Sequence, residues 1–406
     1  MPTNDFLPFA TDSGATVLPQ SEYLDLPARG TGYQTGILPA ARFNKPIRQG
    51  SFIASMVGDF VVKHAVADFL DDGNSLNALY LYELAHRGLV SFTTDTTLNI
   101  PGDYDTLQEG LLDIATRFIP SNVTVVFSLG AGDHVVDSSI GSIVINHPSA
   151  ERIRIVGQPL TAAFPVASAV NSAVAATVEA VLRTIWPTRI VVSGNRQCFY
   201  LQTKLGRLEN ILIIGDKTSG QHGLLIGEWQ GEMSSGTARV VNCWGHNLGS
   251  DAWRANYASF VQGQNVGASH CGEYGFRAAN LSGMQIGGSF ISVRNTQHGV
   301  VIRDQSFIEA IAGGQAAFDY NGGYGIACGP TGAFVSTLAA SLNLGNNAAG
   351  ASVVSAGSFA DYPATATGTG TCTATAGSQQ FFNGGTNLTA SPTRASAGNA
   401  NSYSGA

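Results

Sequence analysis

The chain has 406 residues, of which 12% are charged and 49 are glycine, about 12% of the whole against a typical ~7%. So little charge does not suit a helical protein, whose outer faces need it for solvation. The net charge of −7 comes without a basic run, so the phosphate neutralisation that nucleic-acid binding needs is missing and no nucleic-acid partner is expected.

Residues 1 to about 48 are rich in Pro, Gly, Thr and Tyr with no sustained period, and read as an extended arm lying on something else. Apolar residues at 52, 53, 56, 57, 60 and 61 then follow a 3.6 period, predicting an amphipathic helix that runs towards Phe69 and stops at Asp71-Asp72-Gly73-Asn74. A second helix is expected from Ser75 to about His86. Tyr104 to Leu112 predicts a short helix with Asp105 or Thr106 as N-cap. Strand-like runs follow at Val123–Phe127, His134–Val136, Ser142–Ile145 and Ile153–Val156, and resume at Ile190–Val192 and Ile211–Ile214. Between them an Ala/Val-rich insertion near 161–186 reads as a helix or a long loop.

From residue 220 onward, glycine followed by a short apolar run recurs at Gly223, Gly275, Gly299 and Gly325, with Gly249 filling the gap and Gly350 and Gly377 continuing it. The spacings lie between 24 and 27 residues, and Asn295, Asn321 and Asn346 each stand four residues before a glycine. A period near 25, made of strands with Gly and Asn at corners, is the requirement of a β-solenoid, in which corner asparagines can form a ladder. The fold class expected is mainly β: a right-handed parallel β-helix of roughly nine coils, with a small helical and extended N-terminal module. The expected organisation is an N-terminal arm and helices at 1–100, a β-helix at 101–380 with its first coil capped by the helix near Leu107, and a low-complexity tail at 381–406. No stretch of about 18 apolar residues lacks polar interruption, so no membrane insertion is expected. The first residues lack the basic-then-apolar pattern of a secretory signal. Cys198, Cys243, Cys271, Cys328 and Cys372 show no ligand spacing and read as free buried thiols; neither a metal nor another cofactor is expected.

Two stretches carry a resemblance. Leu18 to Tyr23, Leu26 to Arg29, Gly32 to Gly36, Asn44-Lys45, Arg48 to Phe52 and Phe69 to Gly73 resemble the virion-attachment module of bacteriophage tail spikes and tail fibres. Asp103-Tyr104, Leu107-Gln108, Val123 to Val125, Asn146 to Pro148 and Arg152 to Gly157 are similar to the opening coils of pectin-lyase-like β-helices in the same proteins. The resemblance implies a homotrimer assembled in the host cytoplasm and carried on the virion. Its N-terminus, through Tyr23, Arg29, Tyr33, Asn44 and Arg48, would bind phage tail or baseplate proteins, and its β-helix would meet host surface glycan. Such a protein binds surface polysaccharide and, where it is an enzyme, depolymerises it as a glycoside hydrolase or lyase. A purely structural virion component or adaptor is the alternative.

Hydrolysis of a glycoside takes two carboxyl groups at defined separation. With Gly249 in the frame, Asp251 and Arg277 share an outward slot, Glu273 lies beside them, and Trp253 and Arg303 occupy equivalent slots two coils apart. Asp251 and Glu273 are the candidate catalytic pair, with Trp253, Arg277 and Arg303 as ligand-binding groups; a surface ion pair on a ladder has the same signature. His222 and His298 alternate with Tyr274 and Tyr324 in the slot before the glycine, a column that packs and stacks at a corner.

Overall fold

Short apolar runs broken by glycine and asparagine fold into parallel strands that alternate inward and outward side chains. A computed structural model describes residues 2–32, 38–65, 67–89, 91–229, 232–233, 236–336, 341–354 and 358–362, and short strands within 366–404. The chain divides into two compact units, Met1–Thr93 and Thr94–Ala406.

In the first unit, α1 (Gln20–Leu24) and α2 (Ala28–Thr31) interrupt the segment that reads as an extended arm in the sequence. The helix α3 runs over Ala40–Ala65, starting earlier than the apolar period does, and α4 spans Ser75–Leu89. Val61, Phe69, Leu81 and Ala85 form a small core. The first residues are fastened there: Asn4 Nδ2 donates to Asp59 Oδ1 at 2.8 Å, and the Thr3 amide donates to Asp68 Oδ1 at 2.6 Å. Much apolar surface stays open, including Phe52 at 62% exposure and Leu76 at 78%.

The second unit is a right-handed parallel β-helix, the hand that parallel crossovers take. One face is a ten-stranded parallel sheet; a 17-stranded sheet, whose longer strands bend at bulges, supplies the rest. Its register fixes the coils. Leu224, Trp253, Phe276, Val300, Ile326 and Ser352 stand on successive rungs, so the coils are 29, 23, 24, 26 and 26 residues long by subtraction. The repeat read from the sequence is thus correct in kind and slips at one coil. Ala252, not Gly249, stands between Gly223 and Gly275. Gly249 is glycine for another reason: a side chain there would run into the Thr218 carbonyl. Gly350 likewise pairs with Tyr324, one place off the glycine column, and Gly377 lies outside the described residues.

Corners are closed by side-chain ladders. Asn295 and Asn321 donate through Nδ2 to Asn321 Oδ1 and Asn347 Oδ1 at 2.9 and 3.0 Å, while the backbone N–H groups of Cys271, Asn295 and Asn321 donate to the next Oδ1 at 2.9–3.0 Å. The third member is Asn347; Asn346, expected from spacing, takes the preceding left-handed position at φ 54°. A second ladder joins Asn210, Asn242 and Asn265, each with φ between 51° and 57°, a backbone region that asparagine tolerates well. Serines 259, 282 and 306 form a third through backbone N–H donors.

Inside the solenoid, Phe276, Phe290, Phe318 and Phe334 meet edge to face at centroid distances of 4.6, 4.7 and 6.0 Å. Cys198, Cys243, Cys271 and Cys328 are free and buried. The helix α5 (Leu107–Ile114) starts at Thr106, whose hydroxyl accepts from the Glu109 amide, while Glu109 accepts from Asp105 in return. Its buried face carries Leu107, Leu111 and Ile114, and Gly110 admits the Phe127 ring.

The chain leaves the coil after Ile153–Val156 and returns at Thr188–Val192; the excursion contains α6 (Ala175–Ile185). Val178, Leu182, Ile185 and Trp186 pack onto Leu212, Ile214, Trp244, Ile291 and Val293 of the 17-stranded sheet, making a second core on its outer side. Phe164, Trp186 and Trp244 close it with centroid separations of 5.5–6.0 Å.

Candidate functional site

Each strand of the ten-stranded sheet is preceded by a tight corner, which stacks one side chain per coil. Backbone hydrogen bonds give that column as His222, Asp251, Tyr274, His298 and Tyr324. The Tyr274 and His298 rings are 5.6 Å apart and parallel within 1°, and His298 lies 5.7 Å from Tyr324. The expected His/Tyr column therefore forms, with Asp251 inside it.

Three residues further on, the outward slot holds Leu225, Arg254, Arg277 and Val301. Two arginines thus stand on adjacent rungs, whose backbones are about 4.8 Å apart along the axis. Arg277 Nη1 is 3.9 Å from Asp251 Oδ2 and 4.0 Å from Glu273 Oε2, and its guanidinium carbon is 5.7 Å from the Tyr274 ring centre. Both charge contacts are too long for hydrogen bonds.

Asp251 is fully buried, and among the described residues no donor meets hydrogen-bond geometry at either carboxyl oxygen. Burial pushes its pKa up to about 7; Arg277 and Arg254 oppose the rise, and Glu273 adds to it. His222 Nδ1 accepts from the Asp251 backbone amide at 3.3 Å and approaches its carboxyl at 3.7 Å. Burial first, then the charges of Arg254 and Arg277, pull the His222 pKa down to about 3. The imidazole is therefore neutral near pH 7, and the 3.7 Å approach is not an ion pair.

The structure corrects three features of the sequence-derived site. Asp251 is shut off from solvent beneath the arginines, because its true slot is the corner column. Trp253 is only 1% exposed: it points inward in the same column as Phe276, and its indole N–H donates to the Gly267 carbonyl at 2.9 Å. Arg303 stands three residues past Val300, the true equivalent of Trp253, and pairs with Asp304 at 3.3 Å, although its charge still reaches the Tyr274 hydroxyl. Glu273, with its side chain 38% exposed, and Arg277, at 11%, stay together at the surface. The residue missed is Arg254; once Asp251 is taken to pair with Arg277, its slot is filled.

Of the expected attachment residues, Tyr23 lies 5.9 Å from the Arg29 guanidinium and 5.8 Å from the Lys45 ammonium. Arg29 also donates to the Leu24 carbonyl, and Asn44 to the Thr16 carbonyl. Arg48 borders an open groove on α3 with Lys45, Gln49, Phe52 and Ile53. Tyr33 lies outside the described residues.

These environments make stability depend on pH in opposing senses. His222 and His246 are each held near 3 by burial, so the native state binds fewer protons than the unfolded chain between about pH 6.5 and 3, and their contribution is lost as pH falls through that window. Asp251 acts in reverse: the native state keeps a proton that the unfolded chain releases, and stability is lost as pH rises from about 4 to 7. Asp251→Asn is expected to stabilise the β-helix by about 2–4 kcal/mol at pH 8 and to leave it nearly unchanged at pH 4. Thermal unfolding of both proteins at the two pH values checks this, and an equal shift at both would refute it.

No family model matches the chain, and no curated protein matches it. Among solved structures, the A-module of the Azotobacter vinelandii mannuronan C-5 epimerase AlgE4 is similar over 69% of this chain and 87% of that one. The two share 12% sequence identity and superimpose with a TM-score of 0.31. At that distance the similarity assigns no role to any residue here.

Proposed function

We propose that the chain is a tail spike or tail fibre protein of a bacteriophage, whose β-helix binds host surface polysaccharide along its ten-stranded face. The observation that carries this reading is the Arg254–Arg277 pair, set on adjacent rungs beside Tyr274 and Glu273. A rigid ladder of outward polar groups offers a chain of sugars successive hydrogen-bonding positions at a fixed spacing, and a tyrosine adds an apolar surface. The first unit supports the same reading: exposed Leu7, Phe52, Ile53, Met56 and Leu76 leave an apolar surface of the kind that marks protein contacts. In this proposal that surface serves a homotrimer attached to tail or baseplate proteins.

The proposed action is binding without cleavage. Hydrolysis needs both carboxyl groups at the scissile bond, and only Glu273 of the candidate pair reaches the surface. Purified protein incubated with polysaccharide from candidate host strains is expected to retain it without producing new reducing ends or unsaturated products. Products would overturn the binding-only reading and direct attention to other carboxyl groups. Failure to bind any susceptible strain would favour the structural-adaptor alternative.

A further inference from the structure

We propose that residues 157–187 are a flap that acid releases from the outer side of the solenoid, through His246 and His270 buried beneath it. His246 is fully buried and His270 is 5% exposed, with their ring centres 5.4 Å apart. His246 Nδ1 lies 2.9 Å from Ser269 Oγ, which accepts from the Trp244 indole N–H at 2.9 Å. Trp244 is the ring on which Phe164 and Trp186 of the excursion pack, so one chain of contacts joins the flap's core to His246. The first half of the flap is fastened beside them: Arg294 Nε donates to the Asn171 carbonyl at 2.7 Å, and the Ala167 amide donates to Gln315 Oε1 at 3.0 Å. Among the described residues, no partner of full hydrogen-bond geometry meets His246 Nε2 or either ring nitrogen of His270.

The surroundings resist a proton on either ring. Burial is the largest cause, and cations add to it: Lys217 acts on both rings, Arg183 of α6 and His270 act on His246, and Arg294 acts on His270. The backbones of Ser172, Ala173 and Ala175 favour the proton and are outweighed. The carboxylates near these elements are engaged elsewhere. Glu179 and Asp133 hold Arg183 at 2.7 and 3.1 Å. Asp216 accepts from the Gly194 and Thr218 amides and from Gln221, and Asp319 accepts from the Tyr320 amide, Asn343 and Asn346. The docked flap therefore holds both imidazoles below their ordinary value, His246 at about 3, whereas release returns them to water and to about 6.5. Docking binds fewer protons than release, so it weakens as pH falls below about 6.5, up to tenfold per pH unit for each histidine. Release would uncover Leu212, Ile214, Trp244, Ile291 and Val293, an apolar strip on the outside of the coil.

The test is hydrogen exchange on the full chain at pH 7 and pH 5, corrected for the intrinsic pH dependence of exchange. Protection of the α6 amides, Ala175–Ile185, is expected to fall at least tenfold between the two, while that of the strand Gln197–Leu201 in the coil holds. The double variant His246→Gln/His270→Gln keeps polar side chains there but titrates at neither, and its α6 protection is expected to be the same at both pH values. Unchanged protection of α6 in the unaltered chain overturns the proposal, as does an equal fall in α6 and in Gln197–Leu201, which would be loss of the coil and not release of a flap. A fall in the double variant as large as in the unaltered chain assigns the effect to other groups and also overturns it. Should the double variant not fold, His270→Gln alone is expected to make the fall smaller, and an undiminished fall there counts against the pair.

Discussion

Asn321→Ala is expected to lower the stability of the β-helix by about 3–5 kcal/mol, because it deserts several buried partners at once. Asn321 Oδ1 accepts from the Asn295 amide and from Asn295 Nδ2, and its own Nδ2 donates to Asn347 Oδ1 and to the Ser292 carbonyl. Asn295 and Asn321 are each 1% exposed, so water does not replace the lost bonds cheaply. Asn321→Asp keeps the shape and the acceptor but removes both side-chain donors, and should cost at least as much at neutral pH. Urea unfolding followed through the β-sheet signal measures both, and a loss below about 1 kcal/mol for Asn321→Ala would show that the ladder is ornamental.

Trp186→Ala should release α6 from the outer side of the solenoid, at a cost of about 3–5 kcal/mol to that attachment. The indole is fully buried, meets Phe164 at 5.6 Å and Trp244 at 6.0 Å, and donates to the Asn242 carbonyl at 2.8 Å. The coils beneath have their own core, so the damage should remain local. Limited proteolysis is expected to cut within residues 157–187 first, while the strands from Gln197 onward stay protected from hydrogen exchange. Trp253→Ala should differ: it empties the solenoid interior, so its damage should spread to the neighbouring coils. If Trp186→Ala unfolds the whole unit together, α6 is part of the fold's foundation and not an attachment to it.

How far the sequence is legible depends on whether a signal is repeated. Gly223, Gly275, Gly299 and Gly325 recur at one structural slot, and together they define the solenoid. The coil of 29 residues breaks the rhythm, and there a glycine needed for close approach at 249 reads as a glycine of the repeat. That slip of three residues exchanges inside for outside: it turns Trp253 outward, moves Asp251 beside Arg277 and hides Arg254. A strand period of 2 makes any odd slip do this. The His/Tyr column was legible because it is anchored to the correctly placed glycines on either side. The docking of α6 was not, since its partners Trp244, Ile291 and Val293 occupy outward positions that strand alternation assigns to solvent.

Four of the cysteines lie at different levels of the solenoid, none exposed by more than 1%. Burial raises their pKa values, to about 12 for Cys243, Cys271 and Cys328, so none of these four presents a thiolate to an alkylating reagent while the coil is intact. The molecule thus carries its own strain gauge. The order in which these sulfurs become reactive under mild denaturant records where along its length the coil first comes apart, without a label being introduced.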